Sequence, residues 1–235
     1  MYILFDLDRT LWDFDTNALI TFRQMYNEFG LEAQCHVPME VFHEYYVAVN
    51  AQLWDAYRGG TLEKEMLSLQ RFALPLEHFG VQTPMVLAER MADYYVHEGV
   101  KQTTLMPGAR EVLQHFAQSP HILCIITNGF SEAQLPKMRT AGIDQYFQHF
   151  FLSEKLGYMK PDRRFFEAVL SHLGTTADDC VVIGDDYDVD IVGASRAGIR
   201  QVYYNYRHKS LADKPAPTCT ITHLHELMHL PLLQV

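Results

Sequence analysis

Two patterns of apolar and polar residues alternate along the chain and predict its main elements. Short apolar runs with the composition of buried strands alternate with longer stretches in which apolar residues recur at helical spacing. This alternation predicts an α/β fold with a doubly wound, mostly parallel, Rossmann-like sheet. The predicted strands lie near residues 2–5, 121–126, 150–152, 180–183, 201–204 and 219–221.

One long stretch, residues 17–102, interrupts the alternation. It has helical periodicity and many aromatic residues, but no convincing strand pattern. Pro107 and Gly108 end it, and strands and helices alternate again afterwards. We therefore predict two domains. An α/β core comprises residues 1–14 and 106–235, and an inserted α-helical domain comprises residues 15–105.

Two carboxylates and a hydroxyl follow the first predicted strand. Asp6 and Asp8 are two residues apart, and Thr10 comes two residues later. Ligands of open α/β sheets bind beyond the carboxyl ends of the strands, and two acids at this spacing point the same way while the backbone stays extended. One carboxylate can attack while the other transfers protons, and both can share a divalent cation. The alternative is a solvated acidic turn.

Two later strand ends carry groups suited to binding an anion. Thr127 offers a hydroxyl, and the main-chain amides of Asn128 and Gly129 follow at a helix start, where anions bind readily. Lys160 precedes Pro161 and can neutralise phosphoryl charge if its side chain points inward. The alternatives are a turn or helix cap for the first motif and an exposed surface lysine for the second.

A cluster of four carboxylates follows the apolar strand at 180–183. Asp185, Asp186, Asp188 and Asp190 lie within a few residues of one another, and such crowding is unfavourable unless it is compensated. A hard divalent cation relieves it, and all-oxygen ligands suit magnesium. The alternative is a solvated acidic loop.

Charge and cysteine usage narrow the possible partners. The formal net charge is −10, and no run rich in Lys or Arg occurs, which argues against binding a nucleic-acid polymer. A small phosphorylated substrate is still possible.

The four cysteines are scattered without a Cys-x-x-Cys pair, and we expect a reduced, cytoplasmic chain. The sequence shows no secretory signal pattern and no run of ~20 apolar residues, so we expect no membrane association.

Together these motifs resemble those of the haloacid dehalogenase-like hydrolase superfamily. The matching segments are Asp6-Leu7-Asp8-Arg9-Thr10, Thr127-Asn128-Gly129, Lys160-Pro161, and the run from Gly184-Asp185 to Asp190. The inserted helices resemble the helical cap of that superfamily. Further segments are similar to a subgroup of 5′-nucleotidases that act on pyrimidine, often noncanonical, nucleoside monophosphates. These segments are residues 11–15 and 127–130, Tyr57-Arg58 with Gly60, and Ser153-Glu154 ahead of Lys160.

The resemblance implies a covalent two-step phosphatase. Asp6 would be the nucleophile that forms an aspartyl-phosphate, and Asp8 would act as general acid and then general base. Mg²⁺ would be held by Asp6, the backbone carbonyl of Asp8 and Asp185. The remaining roles are phosphate binding by Thr127, Asn128 and Lys160, orientation of Lys160 by Asp190, and support by Thr10 and Asp186.

The sequence departs from the family pattern at two positions. Arg9 stands where a small or acidic residue is common, and Asp186 where serine is common, which leaves the second acidic metal ligand ambiguous. The presence of Asp8 as a second acid disfavours dehalogenation, because a halide leaves without a proton whereas an alkoxide needs one.

A helical cap would choose the leaving group, with Trp12 and Arg58 as candidates for binding it. We expect a monomer or homodimer.

Three other interpretations have to be weighed. A sugar- or glycolate-phosphate phosphatase or a phosphomutase fits the same motifs, and a non-catalytic binding module fits the same fold. Residues 225–229 match His-Glu-x-x-His, the zinc-protease helix. Pro231 and the chain end follow closely, so we predict instead an amphipathic terminal helix that packs Leu224, Leu227 and Met228 on the sheet.

Overall fold

The chain divides into two compact units. The computed structural model describes residues 1–234. One unit, called here the core unit, contains Met1–Asp15 and the residues from Thr103 onward, and the other, the helical unit, contains Thr16–Gln102.

A six-stranded, fully parallel sheet forms the centre of the core unit, so the predicted α/β fold with a parallel sheet is confirmed. Its strand order is β3-β2-β1-β4-β5-β6. The strands are β1 (Tyr2–Phe5), β2 (Ile122–Thr127), β3 (His149–Leu152), β4 (Cys180–Gly184), β5 (Arg200–Tyr204) and β6 (Cys219–Ile221).

The central strand β1 is buried on both faces, which explains its continuous apolar sequence. Ile3 and Phe5 belong to one hydrophobic cluster, and Leu4 belongs to a second cluster on the opposite face of the sheet. This alternation requires helices on both sides of the strand. The apolar run that predicted β1 therefore reflects a strand enclosed on both faces.

Helices make up the rest of both units. The helical unit contains most of α1 (Phe14–Glu28), which begins in the last residues of the first core segment, and then α2 (Leu31–Cys35), α3 (Met39–Arg58), α4 (Lys64–His78) and α5 (Pro84–Gly99). The core unit contains α6 (Ala109–Ala117), α7 (Ser131–Thr140), α8 (Ser153–Leu156), α9 (Arg163–Leu173) and α10 (Val192–Arg196). None of the helices that the structure describes combines the length and apolar character needed to cross a membrane.

Aromatic side chains fill the interior of the helical unit. The ring of Tyr46 stacks on that of Phe72, with centroids 5.3 Å apart, and Phe22 lies against Phe42. All four side chains are at most 5 % exposed. Aromatic residues at helical spacing thus serve mainly to build the core of this unit.

The predicted terminal helix is found as two short 3₁₀ segments and not as an α-helix. Leu224–His229 and Pro231–Leu233 are 3₁₀ turns. Glu226 accepts hydrogen bonds from the main-chain amides of Thr222 and His223, both at 2.8 Å, and caps the first turn, while Pro231 has no amide hydrogen to continue it. At about three residues per turn, His225 and His229 do not share one face. The Leu224 and Leu227 side chains are nevertheless buried in the core as predicted.

Candidate active site

The carboxyl ends of three neighbouring strands meet at one edge of the sheet and carry the predicted polar groups. Phe5 of β1 lies opposite Ile125 of β2 and Ile183 of β4. Because the strands are parallel, this register brings the residues that come directly after each strand to the same edge of the sheet. Asp6, Thr127 and Asp185 are therefore neighbours although they are far apart in the sequence.

Asp6 is a buried carboxylate held from two sides. Its Oδ1 accepts a hydrogen bond from Lys160 Nζ at 2.7 Å, and its Oδ2 accepts one from the Thr10 hydroxyl at 3.2 Å. Burial raises the pKa of Asp6 even though the Lys160 ammonium opposes the shift. Thr10 thus contacts the Asp6 carboxylate, and its supporting role stays a prediction.

Lys160 uses all three donors of its ammonium group. Its Nζ lies 2.7 Å from Asp6 Oδ1, 2.6 Å from Asp190 Oδ1 and 3.0 Å from the carbonyl oxygen of Ile126. Burial alone would lower the pKa of Lys160, but the charges of Asp190 and Asp6 raise it above its usual range. Since the residue is only 1 % exposed, Lys160 is a fixed buried cation.

Asn128 holds the main chain of Lys160 from both directions. Its Oδ1 accepts from the Lys160 amide at 2.9 Å, and its Nδ2 donates to the Lys160 carbonyl at 2.8 Å. The amide side chain therefore joins the loop after β2 to the segment that carries the lysine. The sequence predicted a contact of Asn128 with phosphate but did not indicate this clamp.

Thr127 is buried at the end of β2 and organises the loop that follows. Its Oγ1 accepts a hydrogen bond from the Gly129 amide at 3.0 Å and donates to Gln134 Oε1 at 3.4 Å. The residue is 2 % exposed. These contacts hold the hydroxyl in one orientation at the sheet edge.

Three carboxylates can converge on one cation. Single oxygens of Asp6, Asp185 and Asp190 lie within 4.8 Å of one another, and all three residues are buried. Burial, reinforced by the charges of Asp6 and Asp190, raises the pKa of Asp185 well above its usual value. Burial likewise raises the pKa of Asp190 to about 7, although Lys160 opposes it. The all-oxygen donor set and the mutual repulsion of the carboxylates fit a hard divalent metal ion.

The neighbouring residues Gly184 and Asp186 shape this carboxylate group. A side chain at Gly184 would overlap the Asp190 carboxylate. Asp186 Oδ1 accepts from the amides of Asp188 and Val189, both at 3.1 Å, and so caps the turn that leads to α10. Asp186 lies beside the three converging carboxylates but is not one of them.

Asp8 forms an ion pair that the sequence did not reveal. Lys137 Nζ lies 2.9 Å from Asp8 Oδ1, and Gln134 Nε2 lies 3.1 Å from Oδ2. Both partners are buried, at 7 % and 3 % exposed, and the lysine also lies over the Trp12 ring, 4.3 Å from its centroid. The sequence did contain one indication of this contact: Gln134 and Lys137 are three residues apart, and residues at that spacing on a helix share a face.

The two predicted substrate-binding residues lie in different surroundings. Trp12 is 2 % exposed and belongs to the hydrophobic core of the core unit. Arg58 is the last residue of α3 in the helical unit and forms an ion pair with Asp55. Arg9 stands where the family commonly has a small or acidic residue. Its backbone is left-handed, with φ of 68°, and its side chain forms an ion pair with Asp15 at 2.8 Å. The substrate roles of Trp12 and Arg58 remain predictions.

Comparisons with known proteins identify the family and two relatives of similar length. The family model described as haloacid dehalogenase-like hydrolase matches residues 1–198. The chain is 30 % identical to the pyrimidine 5′-nucleotidase PynA of Streptococcus pneumoniae, over 97 % of this chain and 93 % of the relative. It is also 30 % identical to the pyrimidine 5′-nucleotidase YjjG of Escherichia coli, over 97 % and 96 %.

A solved structure shows a similar fold over the full length. The HAD-hydrolase YfnB from Bacillus subtilis, in a crystal form bound to magnesium, superimposes with a TM-score of 0.85. The two sequences are 26 % identical, and the match covers 100 % of this chain and 98 % of the other.

Proposed function

Because the chain belongs to the haloacid dehalogenase-like hydrolase family and is a phosphatase, we propose that it is a magnesium-dependent 5′-nucleotidase that acts on pyrimidine nucleoside monophosphates. Two full-length relatives that carry this activity in their names support the substrate class. The observation that carries the mechanism is the buried group of Asp6, Lys160 and Asp185 at one sheet edge.

The reaction has two steps in this proposal. An oxygen of Asp6 attacks phosphorus, and as the new P–O bond forms, the bond to the 5′-oxygen of the nucleoside breaks. Asp8 acts here in its protonated form: it gives its proton to that oxygen and becomes a carboxylate. Asp8 then takes a proton from water, which attacks the aspartyl-phosphate and releases inorganic phosphate and free Asp6.

The fixed polar groups around Asp6 stabilise the charge that develops on the phosphoryl oxygens. The ammonium of Lys160 is held beside Asp6 and supplies positive charge there without moving. The hydroxyl of Thr127 is held at the same sheet edge, and in this proposal its hydrogen turns from Gln134 to a phosphoryl oxygen. Asp190 orients Lys160. We propose that the main-chain amide of Asn128 adds a further donor.

The metal ion would be held by the carboxylates of Asp6 and Asp185 and by the main-chain carbonyl of Asp8. When bound, magnesium neutralises phosphoryl charge and offsets the repulsion between these carboxylates. We propose that the helical domain predicted at residues 15–105 acts as a cap that selects the leaving group. Arg58 of this domain and Trp12 of the core unit are the candidates for binding that group.

Magnesium is expected to stabilise the folded protein against heat. A saturating concentration should raise Tm by several degrees, because a ligand at 100 times its Kd contributes about 2.7 kcal/mol. Asp185→Asn should abolish the rise, whereas Asp178→Asn, at an exposed position, should keep it. Differential scanning calorimetry with magnesium and with EDTA measures both. An equal rise in Asp185→Asn would contradict the assignment of Asp185 as a ligand.

Lys137 is expected to act as a positioning residue for Asp8. Lys137→Met should lower kcat about 10- to 100-fold, because Asp8 loses the contact that holds its Oδ1. It should also change the shape of the kcat–pH profile, and Lys137→Arg should restore part of both. Arg139→Met on the exposed face of the same helix is the matched control. A purely structural role would lower Tm and leave the pH profile unchanged.

The experiment that tests the proposed function is a substrate panel. Release of inorganic phosphate is measured from pyrimidine and purine nucleoside 5′-monophosphates and from sugar phosphates, with magnesium and with EDTA. Magnesium-dependent release with a preference for pyrimidine monophosphates is the expected result. Release only from sugar phosphates would keep the mechanism and refute the nucleotidase proposal. An isomerised phosphoester with little free phosphate would indicate a mutase, and no turnover would favour a binding role.

A further inference from the structure

The interior of the helical unit contains a buried arginine that the proposed mechanism does not use. Arg71 lies in the middle of α4 and is 6 % exposed. Lysine and arginine are almost never buried to this extent unless they are paired. The surroundings of Arg71 therefore need an explanation.

Aromatic rings form the walls around the guanidinium group. Its central carbon lies 5.0 Å from the centroid of the Phe72 ring and 5.1 Å from that of Tyr95. Phe72 in turn stacks on Tyr46. These contacts favour a cation and hold the plane of the guanidinium, but ring faces cannot accept all five of its N–H hydrogens as an oxygen ligand can.

The described residues of the chain supply no anion to Arg71. Its Nε is inaccessible to solvent and has no hydrogen-bond acceptor within residues 1–234. The positions three and four residues away along α4 are Leu67, Ser68, Leu74 and Pro75, so its own helix offers no acid at pairing distance.

Acidic residues are not scarce in this unit. Between residues 16 and 102 they outnumber basic ones, yet none is placed against Arg71. A buried charge that is left unpaired destabilises a fold, so such an arrangement persists where another requirement maintains it.

We propose that Arg71 is the anchor of a binding site for a small oxyanion, a carboxylate or phosphate group, within the helical unit. The guanidinium presents a planar set of donors that matches two oxygens of such a group, and the flanking rings keep its plane fixed. The oxyanion supplies the missing counter-charge. This site is separate from the carboxylate group of the core unit, and the inference does not depend on the proposed nucleotidase activity.

The test observes the arginine directly in the full-length protein. Labelling with ¹⁵N-arginine gives Nε–Hε NMR signals, and Arg71→Met identifies the Arg71 signal by its loss. Sodium acetate, sodium phosphate and uridine are titrated separately in Tris-chloride, with sodium chloride added to constant ionic strength. Arg90 is the matched control, because it is exposed and lies over the Phe29 ring at 5.2 Å in the same unit.

The proposal expects a saturable shift of the Arg71 signal with acetate or phosphate and none of the Arg90 signal. Acetate alone would identify a carboxylate ligand, and phosphate alone a phosphate ligand. A shift only with uridine would overturn the proposal in favour of a neutral carbonyl ligand, and an unresponsive signal would also overturn it.

A thermal measurement separates this site from a structural role. In Tris-chloride, Arg71→Met is expected to melt at the same temperature as the wild type or above it, because an unpaired buried charge has been removed, and to lose the stabilisation by acetate. Arg90→Met should behave as the wild type does. An Arg71→Met variant that melts several degrees lower, together with an unresponsive wild-type signal, would show that the arginine only supports the fold. Neither measurement requires turnover. The oxyanion-site proposal can therefore be refuted while the nucleotidase proposal stands, and the nucleotidase proposal can be refuted while the oxyanion site stands.

Discussion

Asp6→Asn is expected to abolish phosphate release, with kcat lowered about 10⁴-fold or more. The amide that replaces the carboxylate cannot attack phosphorus, and it also removes the anion that faces Lys160 Nζ at 2.7 Å. Release of inorganic phosphate from a nucleoside monophosphate measures the effect. Acid quenching during turnover of a ³²P-labelled substrate should leave label on the wild-type protein and none on the variant.

The control for this experiment is Asp178→Asn, which changes the same functional group at an exposed position in the core unit. It should retain wild-type activity. Circular dichroism of Asp6→Asn should show the wild-type spectrum, so that loss of activity reports chemistry and not unfolding. An Asp6→Asn protein with more than one hundredth of the wild-type kcat would refute the role of Asp6 as nucleophile.

Lys160→Met is expected to damage stability and activity together. It leaves Asp6 and Asp190 buried without their cation, and breaking a buried ion pair by removing one partner costs about 3–5 kcal/mol. For a chain of this length such a loss corresponds to a fall in Tm of about 6–20 °C. Thermal unfolding measured without magnesium, together with kcat, tests both expectations.

Two further variants separate charge from packing at this position. Lys155→Met, at an exposed position, should change Tm by no more than a degree or two. Adding Asp190→Asn to Lys160→Met removes one of the two stranded carboxylates and should recover part of the lost stability. If Lys160→Met melted like the wild type, or if the second substitution lowered Tm further, the ion-pair account of this site would be wrong.

The parallel sheet and the polar residues at its carboxyl edge could be predicted from the sequence, because both follow from short-range patterns. An apolar run predicts a strand, and the polar residue that ends the run is placed at the sheet edge by parallel geometry. Asp6, Thr127 and Asp185 could therefore be assigned to one edge from the sequence alone. Lys160, which lies outside a strand, could be placed beside them only through the family resemblance.

The contacts around these residues could not be predicted in the same way. Lys137 lies on a helix, where most lysines are exposed, and its pairing with Asp8 depends on how α7 lies against the loop after β1. The Asn128 clamp on Lys160 joins two loops whose conformations no periodicity describes. The 3₁₀ turns near the C-terminus follow from the Glu226 cap and Pro231, which compete with the helical spacing of Leu224 and Leu227.

The central place of β1 in the sheet also has a consequence for how the protein is made. β1 leaves the ribosome before any of its partners, yet Tyr2 pairs with Ile122 on one edge and with Cys180 on the other. Until both segments have been synthesised, an apolar strand has two unsatisfied edges, which is the kind of segment that aggregates or recruits chaperones during translation. Such long-range pairings also slow folding, because a large loop must close before they form. Asp6, the proposed nucleophile, lies one residue beyond β1 and is therefore held in place only after most of the core unit has been translated.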